Sequence, residues 1–133
     1  MKRMERREQL IFGRSFDPAN YARNELAYFE GISVDTAKQL LAEGLLDPNI
    51  FHNESPTMGE MISFACSGTD EEIWFFHGFT VSPSRPDCRI TFEGMESYVL
   101  PSPSRLAEFL RLHSKADELL VNEEGYGCYC WYD

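Results

Sequence analysis

The residues with the widest chemical range are four cysteines (Cys66, Cys88, Cys128, Cys130) and three histidines (His52, His77, His113). The tightest grouping is Cys128-Tyr129-Cys130. On a β-strand, positions i and i+2 share a face, so both sulfurs would point the same way. Adding His77 and Cys88 from neighbouring strands would give four ligands, the number a structural zinc takes. The spacing argues against that use. Structural zinc sites separate paired cysteines by at least two residues at a turn, and a C-x-C inside an aromatic strand has no such knuckle. Free cysteine is also among the residues most often buried as a small hydrophobe. Core packing is therefore the expected role, and no cofactor is expected. A nucleophilic or redox thiol needs positive neighbours to lower its pKa, and residues 118–133 contain no Lys or Arg.

His77 stands mid-strand between Phe75 and Phe79, the setting of a hydrogen-bonded core histidine. His52 falls in a polar connector and His113 at a helix end, both expected at the surface. Carboxylate pairs occur at Glu71-Glu72, Glu93 with Glu96, and Glu123-Glu124. With 22 acidic residues in the chain, such pairs arise without catalytic need, and none stands out as a glycosidase-type acid and base. The glycines occur singly and form neither G-x-G-x-x-G nor a Walker pattern, and no Gly-x-Ser-x-Gly elbow is present.

Charge narrows the partners. The net charge is −10, but residues 1–23 carry +3 and residues 24–133 carry −13. An acidic body repels nucleic-acid phosphates and anionic membrane surfaces. A helix-turn-helix is excluded on spacing, because about a dozen residues part the second and third expected helices where that motif has 3–4. The presumed reading helix, Thr57 to Cys66, has no Lys or Arg. Neither nucleic acid nor membrane is expected as a partner. The start has a basic stretch, but the apolar run Leu10-Ile11-Phe12 is too short for a signal peptide. Nothing approaches the ~20 apolar residues of a membrane span. A cytoplasmic location with free thiols is the expectation.

The elements that would position these residues follow from pattern. At 133 residues, 43% apolar and 14% aromatic, the chain suits one domain over residues 1–133 with a substantial core. Residues 1–13 read as a charged arm without a cap, free to pack, to stay loose, or to meet the acidic surface of another copy. A first helix is expected over 18–30, with Asp17 as cap, Pro18 at its first position, Ala22, Leu26 and Phe29 as its stripe, and Gly31 as its stop. A second follows Ser33 and ends at Gly44. A third begins near Pro56, where Thr57 and Glu60 have the spacing of a capping box. The period then changes from 3.6 to 2. Ile73–Val81 and Cys88–Leu100 read as strands, Gly94 marking a bulge or a turn. Ser102-Pro103 starts a helix over about 103–113. Ala116, Leu119 and Leu120 suggest a further helical turn, Asn122–Gly125 a reversal, and Tyr126–Asp133 a last strand. The class is α+β: about three N-terminal helices, then a short, mainly antiparallel sheet of 3–4 strands with one helix inserted before the last.

The aromatics Trp74, Phe76, Tyr98, Tyr129, Trp131 and Tyr132 exceed what one face of a small sheet needs. Either both faces are covered, one by the front helices and one by the helix after Ser102, or part of one face stays open. An open face would present Trp74, Tyr129 and Trp131 as binding residues, since Tyr and Trp combine large area with a polar tip. Acidity and aromatic surplus together point to a non-catalytic protein-binding module (an adaptor, inhibitor or immunity-like role) that meets a basic partner. The alternative is a small-ligand- or zinc-binding domain, or a small enzyme, with a pocket between helices and sheet.

Overall fold

A computed structural model describes residues 2–13, 21 and 25–133. In chain order its elements are α1 (Lys2–Phe12), β1 (Leu26–Ser33), α2 (Val34–Ala42), α3 (Met58–Cys66), β2 (Phe75–Val81), β3 (Ile90–Ser97), α4 (Pro103–Leu112), β4 (Glu118–Glu123) and β5 (Tyr126–Trp131). The strands form one sheet in the order β1-β2-β3-β5-β4, each neighbouring pair antiparallel. The class is α+β, as the sequence implies, with five strands rather than three or four.

Local chemistry sets the starts of α2, α3 and α4. The Ser33 hydroxyl accepts from the Thr36 amide at 3.1 Å. Thr57 and Glu60 form the reciprocal capping box, with both bonds near 3 Å. Ser102 caps α4, and Pro103 occupies its first turn.

Three segments depart from the expected elements. Leu26–Ser33 is a strand, not the end of a helix over 18–30; positions 18–20 and 22–24 lie outside the described residues. Leu26 and Phe29 are three apart, the spacing of a helix stripe, but both belong to the strand, where Leu26 pairs with Val81 and Phe29 with Gly78. Second, the charged arm is α1, and it is docked. Its Arg7 is 1% exposed, donating to Cys88 Sγ, the Tyr21 hydroxyl and the Val81 carbonyl, each at 3.1 Å, and to Glu8 beside it. Third, residues 118–123 form the edge strand β4 instead of a helical turn. Glu123 pairs with Tyr126 across the loop Glu124-Gly125, whose φ values of 54° and 84° are those of a tight type I′ hairpin turn.

All four described helices pack against a single apolar cluster. The sheet contributes Phe29, Ile32, Phe76, Ile90, Phe92, Met95, Cys128 and Cys130; α2, α3 and α4 contribute Leu40, Met61 and Phe109, and α1 lays Met4, Leu10 and Ile11 against its edge. The helix after Ser102 therefore does not cover a second face. Trp74 sits inside this cluster, 5.2 Å from the Phe64 ring and stacked at 5.4 Å on Phe109. A buried ion pair fastens the helical layer. Arg105 donates to the Glu72 carboxylate, to the Phe64 carbonyl at 2.6 Å and to Ser67, and lies 4.0 Å over the Phe64 ring. Glu72 also accepts from the Trp74 indole at 2.8 Å.

Candidate functional site

Strand alternation sends one set of side chains to the helices and the other to the opposite face. That second set lines a groove of about 400 Å³, formed by Tyr28 and Glu30 of β1, His77 of β2, Glu93 and Glu96 of β3, Tyr98 just beyond it, and Tyr126, Tyr129 and Trp131 of β5. Tyr28 is 58% and Tyr98 60% exposed, so this face is open among the described residues.

Two backbone features build the groove floor. His77 pairs with Gly94 and Gly78 with Phe92, which leaves Glu93 as the extra residue of a β-bulge. The bulge brings Glu93 and Glu96, three apart in sequence, onto one face, where a regular strand would separate them. Gly94 makes room for the histidine. A Cβ there would lie 2.5 Å from His77 Nε2 and 2.0 Å from the Cys130 carbonyl oxygen.

The rings form a continuous wall. Phe75 is 6.0 Å from Tyr98, Tyr98 stacks on Tyr126 at 5.4 Å, Tyr126 lies 5.0 Å from Tyr129, and Tyr129 stacks on His77 at 5.1 Å. Glu96 lies beneath this wall, only 4% exposed, with its Oε1 3.3 Å from His77 Nδ1. Glu93 is partly buried, and its Oε2 is 3.9 Å from His52 Nε2. His52 in turn stands edge-on to Phe79 at 5.8 Å.

Electrostatics follow from burial. Desolvation raises the Glu93 pKa, against the opposing pull of His52 and His77. Burial also pushes Tyr129 up to about 12, helped by the charges of Glu118 and Glu96. Tyr126 moves the same way through burial, the charge of Glu96 and a hydrogen bond to it. The phenols therefore stay protonated at neutral pH and act as hydrogen-bond donors and π-faces, not as nucleophiles. Among the described residues, no Lys or Arg lines the groove. Carboxylates without a fixed counter-charge, set beside ring faces that carry negative quadrupole density, favour a cation.

Of the binding residues expected from sequence, Tyr129 and Trp131 line this groove and Trp74 does not, being buried in the helix-side core. Pattern reading missed Tyr28 and Glu30, which it placed on a helix, and Tyr126 and His52. Tyr98 and the Glu93/Glu96 pair were visible as residues, but not as neighbours. The four candidate zinc ligands, weighed in the sequence against core packing, are not brought together. Cys128 and Cys130 belong to the helix-side core, His77 faces the groove, and Cys88 sits against Arg7. Among the described residues, no three His, Cys, Asp or Glu side chains are grouped to hold a metal ion. Burial pushes the Cys128 thiol up to about 12 and raises Cys130 as well, so both stay protonated. His113 is a buried residue and not a surface one. Its Nδ1 is 2.7 Å from the Tyr132 hydroxyl. Burial, and secondarily the charge of His77, lower its pKa to about 3.

A second cleft of about 290 Å³ lies beside Arg3, Arg7, Cys88 and Arg89. Its arginines are already engaged. Arg3 donates to the Gly44 carbonyl, Arg7 to Glu8, Cys88, Tyr21 and Val81, and Arg89 to Asp87 and Thr91. The sheet groove, with its carboxylates unmatched by any Lys or Arg among the described residues, is the stronger candidate. No protein-family model, curated protein or solved structure matches the chain.

Proposed function

We propose that this protein is a non-catalytic protein-binding module that offers the open face of its sheet to a basic partner. The observation that supports the reading is the groove itself: exposed tyrosines and a partly buried tryptophan around three carboxylates, with no Lys or Arg among the described residues of the lining. Aromatic side chains dominate protein-interface energetics, and an acidic field steers and orients a basic partner. The net charge of −10 extends that field beyond the groove. A non-catalytic role fits a site whose phenols are held protonated, and a reducing compartment such as the cytoplasm suits four free cysteines. No described helix is long and apolar enough to cross a membrane.

Photo-crosslinking tests this directly. With Tyr98 replaced by p-benzoylphenylalanine in cells that produce the protein, the expected product is a crosslink to one basic protein, weakened by added salt. No specific crosslink, or a yield indifferent to salt, would remove the reading.

A further inference from the structure

The groove's geometry narrows what it takes from a partner. Resting on the reading of this face as a surface for a basic protein, we propose that it is a subsite for one arginine side chain. The guanidinium lies against the tyrosine wall and donates to Glu96 and Glu93.

Size comes first. At about 400 Å³ the groove is near the lower limit of ligand pockets, room for one long side chain rather than a folded segment. Charge comes second. Glu96 is 4% exposed and meets no Lys or Arg among the described residues; its contacts within the fold include the imidazole of His77 and the hydroxyl of Tyr126. A buried carboxylate is poorly solvated, and a cation that reaches it regains what hydration no longer supplies. Glu93 stands on the same face through the bulge, and Glu30 lies at the β1 side.

Shape separates arginine from lysine. Tyr98 and Tyr126 are within 17° of parallel, and Tyr129 and His77 within 11°, so the wall is built of flat, stacked rings. A planar guanidinium stacks on such a face while its five N–H groups reach carboxylates in the ring plane, and it is more weakly hydrated than an ammonium. Lysine supplies a compact, strongly hydrated charge that matches neither the plane nor several acceptors. The Tyr126 hydroxyl hydrogen-bonds Glu96 but brings no positive charge to it.

The test uses the whole protein, labelled for amide NMR, titrated with N-acetyl-arginine methylamide, its lysine counterpart, and the neutral isostere N-acetyl-citrulline methylamide. The expected result is saturable shifts confined to residues around Glu93, Glu96, Tyr98, Tyr129 and Trp131. Arginine should bind more tightly than lysine, and citrulline at least about tenfold more weakly, the loss of one charge-assisted contact. Glu96→Gln should weaken arginine binding about tenfold. Since a buried substitution can disturb folding, Glu93→Gln and Tyr98→Leu, at more accessible positions, provide the same reading. Equal shifts with citrulline, lysine binding as tightly as arginine, or three folded variants that bind like the parent would each overturn the subsite. A protein crosslinked at position 98 whose capture is unchanged by Glu96→Gln and Glu93→Gln would overturn the subsite and leave the protein-binding reading intact. Arginine shifts without any crosslinked partner would do the opposite.

Discussion

The imidazole of His77 lies flat on the phenol of Tyr129, 11° from parallel with centroids 5.1 Å apart, while its Nδ1 faces Glu96 at 3.3 Å. Residues from β2, β3 and β5 thus meet in one contact at the floor of the groove. The contact depends on Gly94, which carries no side chain between the imidazole and the strand beneath.

Gly94→Ala tests that dependence. The added Cβ would fall 2.0 Å from the Cys130 carbonyl oxygen, a backbone atom that cannot swing aside. Overpacking of this sort costs about 1–3 kcal/mol and more when backbone must shift. The expected result in urea unfolding is a loss at or above the top of that range. Any folded fraction should show the Tyr129 and His77 ring signals displaced. Unchanged stability and unchanged ring signals would mean that His77 does not sit over Gly94.

His113 should make the protein acid-labile. Its folded pKa of about 3 lies below the ordinary histidine value of 6.5, because burial disfavours the imidazolium. Between those limits the unfolded chain binds the extra proton and the folded one does not, so stability falls as pH falls. The contribution is fully present above pH 6.5 and is lost progressively down to about 3. The slope approaches at most about 1.4 kcal/mol per pH unit. His113→Gln should flatten the dependence of the urea midpoint on pH between 6.5 and 4, where the parent declines. Parallel profiles for the two proteins would assign the acid sensitivity elsewhere.

Legibility in the sequence followed the range of the interactions. Ser33, Thr57 with Glu60, and Ser102 with Pro103 marked three helix starts correctly, because a cap acts within three residues of itself. The two bulges left no comparable mark. Each is defined by pairing with another strand, outside the reach of local pattern; one interrupts β1 between Phe29 and Ile32, and the other turns Glu93 and Glu96 to the same side. The groove was therefore visible as a surplus of Tyr and Trp but not as a set of neighbours. Trp74 could not be told from Trp131 by type, since only the arrangement of α3 and α4 on a single face decides which of them is covered. The charged arm misled for a related reason. Lys, Arg and Glu argue for exposure unless their partners are known, and those of Arg7 lie as far away as Val81 and Cys88.

Arg7 accordingly carries a strong prediction. Burial alone would lower its pKa, but the charge and hydrogen bond of Glu8 raise it, so the guanidinium stays charged inside the protein. Arg7→Ala would strand the buried Glu8 carboxylate and leave the Val81 carbonyl without that donor. Breaking a buried pair from one side typically costs about 3–5 kcal/mol. Arg7→Met with Glu8→Leu removes both charges and should cost less than Arg7→Ala. Chemical denaturation of the three variants measures the difference, and an Arg7→Ala loss under about 1 kcal/mol would return α1 to the status of a loose arm.

Glu93 should trade stability against binding. Its raised pKa means that the folded protein holds a proton there at a higher pH than the unfolded chain does. The sign is opposite to that of His113. The contribution to stability is fully present below the unfolded pKa and is lost as pH rises through the folded one, so at neutral pH the ionised Glu93 weakens the fold. Glu93→Gln removes the charge and keeps the shape, and at pH 7 it should raise the melting temperature while reducing affinity for N-acetyl-arginine methylamide. Below the carboxylate range both differences should shrink, because the parent then carries a neutral acid at the same place. A residue retained for packing alone would lose stability on substitution and leave arginine binding unmoved. Gain in one measurement with loss in the other is the signature of a carboxylate kept for a cation that comes from outside the chain.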